Sequence, residues 1–286
     1  MLVVIVGLAS AVIFGTADFF GGLASKRISP VRVVAISATI GLIFLTLATL
    51  IIGGTFSWGA VLWGGLSGVV GSVAILTLYA ALAIGPMSIL SPLTAVISAI
   101  VPVTWGLLQG ERLSMLGYIA LGIALVAVVL VGFVPEKGAV RPSMRGVGYA
   151  VISGVLIGVL LILLNQAPSD SGLLPLVFNR ASYLVILWAI VLVLVIRGRM
   201  RHDPPGPRIR PVLPLIIGAG ISDSLANTLI IIGLRLGDLS VIAVLTALYP
   251  AGTIALAAIV LKERIAAVQW VGLGLALVAA AMLALA

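Results

Sequence analysis

Cysteine is absent from this chain of 286 residues, histidine occurs once, and only 8% of the residues are charged. The lack of cysteine excludes disulfide bonds and thiol chemistry. The single histidine, His202, cannot form a metal site by itself. Because 62% of the residues are apolar, too few charges remain to cover the surface of a soluble domain. We therefore expect lipid to surround most of the chain.

The charges that are present have one dominant sign, with 16 Lys and Arg against 8 Asp and Glu. A net charge of +8 can indicate nucleic-acid binding, but the basic residues here lie in short stretches between apolar runs, as topology determinants do. No basic patch is interleaved with aromatic residues, so nucleic acid is not an expected partner. The chain also lacks a Gly-rich Lys-Ser/Thr nucleotide motif, so we expect neither ATP hydrolysis nor a bound cofactor.

Ten apolar runs are long enough to cross a membrane as helices. A helix rises about 1.5 Å per residue, so roughly 20 residues cross a hydrocarbon layer about 30 Å thick. The predicted spans are 2–24, 31–53, 60–83, 88–108, 114–134, 146–165, 173–196, 211–234, 239–260 and 266–285. Turn-forming or charged residues separate the spans, and the longest break runs from Arg197 to Pro211.

Two parts of the chain match each other without a gap. Residues 78–131 align with residues 230–283 at a constant offset of 152, so that Glu111-Arg112 matches Glu263-Arg264. Ten spans in two copies leave five in each copy, and an odd number forces the second copy to enter from the opposite face. The predicted fold is therefore an all-α membrane protein with two inverted five-helix repeats around a shared polar cavity, an arrangement typical of transporters.

The repeats are predicted at residues 1–134 and 146–286, joined by a linker at 135–145. Most Lys and Arg residues fall in the odd-numbered loops, whereas the even-numbered loops contain little beyond Arg112 and Arg235. The positive-inside rule then places the odd-numbered loops in the cytoplasm and both termini outside. We expect a multi-pass protein of the cell membrane with both termini on one side.

These features together resemble the ten-helix EamA-type transporters of the drug/metabolite transporter superfamily. The likeness rests on the duplicated unit and on two closing segments, Gly110-Glu111-Arg112-Leu113 before Gly117 and Gly122, and Lys262-Glu263-Arg264-Ile265 before Gly272 and Gly274. The opening Phe14-Gly15-Thr16-Ala17-Asp18-Phe19 also looks like the first helix of that family.

The resemblance implies a carrier that exports or exchanges amino acids, metabolites or toxic compounds, often driven by an ion gradient. Many such proteins have both termini in the cytoplasm, which conflicts with the distribution of basic residues, so the orientation stays open at this point.

Ionisable residues inside the spans are few, and Arg180 and Asp223 are two of them. A charge at bilayer depth is costly and persists mainly when it is paired or faces water. Asn227 follows Asp223 by one helical turn, and the rise along each helix brings Arg180 within reach of Asp223. We expect these three residues, with Asn179 beside Arg180, to form a polar cluster in the cavity wall. The alternative is an ion pair that only holds two helices together.

Asp18 lies closer to one face of the first span. Intramembrane carboxylates often mark proton relays, so Asp18 and Asp223 are the candidates for proton coupling. Alternatively, Asp18 caps a helix end or binds Lys26 or Arg27 at the interface.

The fourth and ninth spans carry matching polar and proline positions. Thr94 and Ser98 in one, and Thr246 and Tyr249 in the other, are candidate cavity residues. Proline frees a backbone carbonyl and bends a helix, so interior prolines predict hinges, with packing alone as the alternative. The predicted hinge residues are Pro92, Pro102 and Pro250.

Glu111 and Glu263 begin the fifth and tenth spans, where a carboxylate suits the positive end of the helix dipole. We expect both residues to be structural.

The sequence thus favours an alternating-access secondary transporter of small metabolites or drug-like compounds, above all an amino-acid or metabolite exporter or exchanger. A proton gradient, a substrate gradient or passive movement remain open as its energy source, and a monomer or homodimer as its assembly. A membrane-embedded lipid-modifying enzyme would need clustered His, Asp or Glu, so we expect no enzyme. A non-transporting scaffold is the other alternative.

Overall fold

The computed structural model describes the backbone of residues 1–84, 87–132, 143–200, 208–262 and 265–285. Within these ranges the helices are α1 (Leu2–Ser25), α2 (Pro30–Ile52), α3 (Trp58–Ile84), α4 (Met87–Leu108), α5 (Met115–Gly132), α6 (Met144–Asn165), α7 (Leu174–Met200), α8 (Leu213–Leu236), α9 (Leu239–Thr246), α10 (Tyr249–Val260) and α11 (Ala267–Leu285). Several residues named above lie outside the described ranges: the predicted linker as far as residue 142, His202, Glu263 and Arg264.

The described helices make ten membrane crossings, as predicted. Nine stretches are long and apolar enough to span a bilayer, with α9 and α10 together forming one of them, and α4 supplies the tenth. Local signals explain where several helices begin and end. Ser143 accepts a hydrogen bond at its Oγ from the Gly146 N–H at the start of α6 (3.1 Å). Gly53 and Gly110 follow α2 and α4 with φ of 82° and 98°, which favours glycine.

The ninth predicted span is present at Leu239–Val260, but it is interrupted inside rather than built as one continuous helix. Ala247 and Leu248 separate α9 from α10. Pro250 in the first turn of α10 has no N–H, so the carbonyl group four residues earlier loses its helical partner and the helix is interrupted. Pro92 and Pro102, in contrast, lie inside α4, which continues past both.

One face of the bundle holds the start of α1, the end of α11 and the loops after α2, α4, α6 and α8; we call it the terminal face. Thr55 joins two of these loops by donating from Oγ1 to the Asp170 carboxylate (2.5 Å). Arg235 at the end of α8 donates to the Gly172 carbonyl (2.6 Å). The opposite face holds the loops rich in Lys and Arg, and we call it the basic face.

Packed helix pairs recur in the two repeats with exchanged partners. α1 packs on α8 as α6 packs on α3, and α2 packs on α8 as α7 packs on α3. α1 contacts α9 and α10, while α6 contacts α4. α2 packs on its own counterpart α7, and α5 on its counterpart α11, so these contacts lie on the pseudo-two-fold axis. The helix packing confirms the prediction of two inverted five-helix repeats.

Equivalent glycines produce the close approach of these helices. A Cβ atom at Gly15 in α1 would lie 2.5 Å from the Thr253 nitrogen in α10. A Cβ atom at Gly158 in α6 would lie 2.6 Å from the Val101 Cβ in α4. Val101 and Thr253 are 152 residues apart, the offset of the repeat. Small residues therefore serve the same packing role in both halves, as is common between membrane helices.

A buried apolar cluster closes the centre of the bundle near the terminal face, and we call it the apolar plug. It joins α2, α6, α7, α8 and α9 with the loop before α7, so it links the two repeats. Its residues are Leu45, Leu161, Leu164, Leu173, Leu176, Ile230, Ile231, Leu234, Leu239, Ile242 and Ala243. Toward the basic face, the buried apolar residues of the described chain form three further clusters: one on α2 and α7, one around α1, α2 and α8, and one on α3, α4 and α6.

We predict that Gly15→Ala destabilises the protein by about 1–3 kcal/mol, the usual cost of overpacking, because the added methyl group meets backbone atoms that cannot rotate away. Gly22→Ala in the same helix is the matched control, since no atom lies within 4 Å of its added Cβ. That control should be neutral or slightly stabilising. Thermal unfolding in detergent measures both, and equal melting temperatures for the two variants would contradict the packing described here.

Candidate functional site

An ion pair at the centre of the second repeat joins α7 to α8. The Nη2 atom of Arg180 contacts the Oδ2 atom of Asp223. Asn227, one turn later in α8, donates from Nδ2 to the Asp223 carbonyl at 2.8 Å and lies 3.4 Å from Oδ1. The structure therefore brings together the three residues of the predicted cluster. With Ser224 they form what we call the midplane cluster.

The midplane cluster lies halfway along the helices that cross the membrane. Asp223 is the eleventh residue of the 24-residue helix α8. Gly41 is the twelfth residue of the 23-residue helix α2 and lies beside the cluster. A Cβ atom at Gly41 would lie 2.5 Å from the Ser224 Oγ and 3.7 Å from the Arg180 Nε. Gly41 thus leaves the space that the Arg180 side chain and Ser224 occupy.

The apolar plug lies one helical turn from the cluster, toward the terminal face. Leu176 precedes Arg180 by four residues on α7, and Leu45 follows Gly41 by four residues on α2. On α8, Ile230 and Ile231 follow Asn227 by about one turn. The two helices that carry the midplane cluster, and α2 beside them, thus also carry the plug, which lies between the cluster and the terminal face.

Arg180 is buried with unused hydrogen-bonding capacity. Its residue is 9% exposed, and a guanidinium group carries five N–H donors. Within the described part of the chain, Asp223 is the acceptor found for it, while the Tyr183 ring lies 5.8 Å from Cζ. Ser224 is fully buried, and its Oγ has no hydrogen-bond partner among the described residues. Buried donors of this kind ordinarily have partners, so the cluster is suited to receive a polar ligand or water.

The equivalent of Arg180 in the first repeat follows from two matched contacts. Gly68 and Gly220 are 152 residues apart and occupy equivalent places. A side chain at Gly68 would collide with the Asn179 carbonyl, and one at Gly220 would collide with the Ser37 carbonyl. Ser37 is therefore the counterpart of Asn179.

The ion pair is absent from the equivalent place in the first repeat. Ala38 stands there in the position of Arg180, and Gly71 stands in the position of Asp223. Ala38 is buried, and a Cβ atom at Gly71 would lie 2.7 Å from the Leu160 Cδ1, so this place is filled by apolar packing. The architecture packs these helices without charges, so the ion pair is not a requirement of the repeat.

Asp18 is exposed on α1, one turn after Phe14. The Phe14 and Tyr249 rings are in contact, with centroids 5.5 Å apart. Thr253 donates from Oγ1 to the Gly15 carbonyl (3.1 Å), which fixes α10 against this part of α1. Asp18 lies inside α1 rather than at its end, and no ion pair to Lys26 or Arg27 occurs within the described residues.

Asp18 and Asp223 lie at different depths. α1 and α8 run in opposite directions, and a Cβ atom at Gly218 would lie 2.9 Å from the Phe20 ring. Asp18 is therefore level with about residue 220 of α8, roughly one helical turn from Asp223 toward the basic face.

The remaining candidate residues of the fourth, seventh and ninth spans are buried between helices. Asn179 donates from Nδ2 to the Ser67 Oγ (2.8 Å), and Thr94 donates from Oγ1 to the carbonyls of Leu90 and Ala150 (3.0 and 3.2 Å). Thr246 Oγ1 lies 3.4 Å from the Ser10 Oγ.

Ser98 donates to the Ala95 carbonyl (2.8 Å), and Tyr249 is half-buried against Phe14. These bonds join helices or return to the same helix, and their place in a substrate site stays a prediction.

Ser224 and Gly41 are not among the residues that the sequence predicted for this site. Ser224 lies next to Asp223 in the chain, so it could have been found by asking which neighbours face the same side of α8. Gly41 has no such signal, because only the packed helices show which side chain needs its space. In the described part of the chain, no three His, Cys, Asp or Glu residues come together as a metal site would require.

Comparison with known proteins gives a family and similar folds among solved structures. A solved structure described as "Crystal structure of protein" matches with a TM-score of 0.77 over 99% of this chain and 96% of that chain. The two sequences are 18% identical, so this likeness concerns the fold alone. Among curated proteins nothing matches.

The model of the EamA-like transporter family matches residues 1–133 and again residues 144–285. Because the two matches together cover nearly the whole chain, the protein belongs to the EamA-like transporter family, whose members are membrane proteins and generally transporters.

Proposed function

We propose that this protein is a secondary transporter that moves a small zwitterionic metabolite, such as an amino acid, by alternating access at the midplane cluster. One observation carries this proposal: a buried, incompletely bonded arginine and its aspartate partner lie halfway across the membrane, in one repeat only. Substrate sites of inverted-repeat carriers lie near the bilayer midplane between the repeats.

The charges of the cluster favour a ligand with both signs and no net charge. A carboxylate on the ligand pairs with the free donors of Arg180, and an ammonium group pairs with Asp223. Such a ligand replaces one buried pair by two. A ligand with a net charge would leave an unpaired charge at the midplane, which costs several kcal/mol.

Asp18 is the proposed proton-coupling group, with Asp223 as the second carboxylate on the same route. The two carboxylates lie about one helical turn apart in depth, and Asp18 is exposed on the side of the cluster that faces the basic loops. A proton that reaches Asp18 from the basic face therefore lies on the way to the substrate site. Intramembrane carboxylates in sequence along a path are typical of proton relays.

The proposed orientation places the basic face in the cytoplasm and both termini outside. The loops of the basic face carry most of the Lys and Arg residues, and such an excess sets the orientation of membrane proteins. The plug then lies between the substrate site and the outside. A reporter fused to the carboxyl terminus tests this orientation, and a cytoplasmic reporter signal would reverse it.

Substitution of the ion pair separates a role in transport from a purely structural role. Arg180→Met and Asp223→Leu should each lower stability by about 3–5 kcal/mol, because each leaves one buried charge unpaired. The double variant should regain most of that stability yet stay inactive, because its site no longer binds charge. Thermal unfolding and counterflow in proteoliposomes with the common amino acids measure the two properties. Transport by the double variant would favour the scaffold or purely structural interpretation.

Ligand charge provides a second test. We expect amino acids to raise the melting temperature of the purified protein, while the corresponding amino-acid amides and deaminated acids should not. The amides carry only the positive charge and the deaminated acids only the negative one, so each leaves one residue of the pair unmatched. Stabilisation by the amides or deaminated acids to the same extent would contradict the proposed zwitterion site.

The third prediction concerns proton coupling. Asp18→Asn should abolish uptake driven by a pH gradient while leaving exchange of substrate across the membrane intact, because exchange needs no net proton movement. Both assays use the same proteoliposomes, and Gly22→Ala in the same helix is the control. Full pH-driven uptake by Asp18→Asn would exclude Asp18 as the coupling group.

A further inference from the structure

Glu111 binds a helix in the other repeat rather than the helix that follows it. The Glu111 carboxylate accepts hydrogen bonds from the N–H groups of Leu239 (2.9 Å) and Ser240 (3.2 Å) and from the Ser240 hydroxyl (2.5 Å). These groups form the first turn of α9. The expectation that Glu111 serves the dipole of α5 is therefore corrected: its charge lies at the positive end of α9.

Two glycines place the Glu111 carboxylate at α9. Gly110 ends α4 with φ of 98°, and the Glu111 N–H then donates back to the Gly106 carbonyl (3.0 Å). A Cβ atom at Gly106 would collide with the Glu111 carboxylate. The carboxylate thus lies in space that only glycine leaves open.

The second repeat does not repeat these glycines. At the offset of 152, Ala258 stands in the place of Gly106, and Lys262 stands in the place of Gly110. Lys262 has φ of 55°, so it keeps the backbone turn without the glycine. The two glycines around Glu111 are therefore specific to the first repeat, although the Glu-Arg pair itself is duplicated.

The helix that Glu111 binds is short and separable. α9 has eight residues, every one of them buried, and supplies Leu239, Ile242 and Ala243 to the apolar plug. It ends at the interruption before Pro250. Its N-cap residue Asp238 makes no side-chain hydrogen bond to it, so Glu111 supplies the cap from the other repeat.

We propose that α9 is the gate of the terminal face, that Glu111 is its latch, and that the interruption at residues 247–248 is its hinge. Release of the first turn of α9 lets this half-helix swing about the hinge, withdraw its side chains from the plug and open the midplane cluster to the terminal face. This inference rests on the proposed alternating-access function, but its test measures access rather than transport.

The test uses the absence of native cysteine. Ser224→Cys places one thiol in the midplane cluster, beneath the plug. A membrane-impermeant maleimide added from the terminal face should label it slowly in the otherwise unchanged chain. Glu111→Gln in that background should raise the labelling rate tenfold or more, because hydrogen bonds to a charged group are among the stronger ones in proteins. Ser240→Ala should also raise the labelling rate, but by a smaller factor, since it removes one of the three hydrogen bonds.

Two further variants complete the design. Arg112→Gln changes the exposed neighbouring charge and should leave the labelling rate unchanged. Pro250→Ala combined with Glu111→Gln should label more slowly than Glu111→Gln alone, because an alanine at this position allows α9 and α10 to join.

If Glu111→Gln and its parent are labelled at the same rate and have the same melting temperature, Glu111 is not the latch. If Glu111→Gln unfolds, Ser240→Ala decides the question by the same comparison. Two results together would separate the two proposals. If these variants are labelled rapidly while the Arg180 and Asp223 variants transport normally, the gate is supported and the proposed substrate site is contradicted.

Asp238 gives the latch a pH dependence. Partial burial, and then the neighbouring Glu111 charge, raise the pKa of the Asp238 carboxyl above 3.8. The other charged groups described at this end are Arg112 beside Glu111, Asp170 in the loop before α7, Arg235 in α8, and the amino terminus of α1, whose Val3 packs on Gly237. A raised carboxyl pKa means that the ionised form costs the folded protein free energy, and this cost appears as the pH rises through that pKa.

Asp238→Asn should therefore slow the labelling of Ser224→Cys from the terminal face at neutral pH. The difference from the parent should shrink as the pH falls, and it should vanish where Asp238 is protonated in both conformations. A difference that stays constant with pH would show that the Asp238 charge does not act on the gate.

Discussion

The structure depends on one constraint of the bilayer: a polar group inside it must find its partner within the protein. Most hydroxyl groups in the described helices meet this constraint locally, as Thr46 does by donating to the Leu42 carbonyl one turn earlier (2.8 Å). A few instead join helices, as Ser153 does by donating to the Ala74 carbonyl of α3 (2.9 Å). Arg180 and Ser224 stand out because the protein leaves their hydrogen-bonding capacity partly unused. The place where the constraint is not fully met is the place where a ligand has something to bind.

The duplicated architecture shows which features of the protein are needed for packing and which are not. Where two repeats pack alike, a feature present in both is explained by the packing, as the equivalent positions of Gly15 and Gly158 show. A feature present in one repeat needs another explanation. The Arg180–Asp223 pair and the glycines around Glu111 are of this second kind, since Ala38, Gly71, Ala258 and Lys262 occupy the equivalent places. Both departures from symmetry belong to the path across the membrane, one at the midplane and the other at its terminal end.

Much of this molecule could be predicted from its sequence because lipid leaves few alternatives. Apolar runs of membrane length gave ten crossings, and the fixed offset gave the inverted repeat. Arg180 and Asp223 could be paired by depth alone, since a helix converts residue number into height. The direction in which each side chain points around its helix axis was harder to predict. Asn179 is next to Arg180 in the chain, yet its side chain bonds Ser67 on α3. Glu111 was misassigned because its partner lies 128 residues later, and nothing local in the sequence indicates that α9 passes that loop.

Site and gate are physically continuous, which explains how binding at one can act on the other. The plug separates them by about one helical turn, and α9 contributes its side chains to the same plug that covers Arg180 and Asp223. A ligand that divides the ion pair changes what lies directly beneath those side chains. The eight buried residues of α9 give the closed position a large apolar stabilisation, so the closed position stays the more populated one even when a bond of the latch is lost. The latch of three hydrogen bonds at one end of α9 and the plug at the other both hold the terminal face closed, so loss of either one raises the fraction of open molecules, and the two together limit leakage through the carrier.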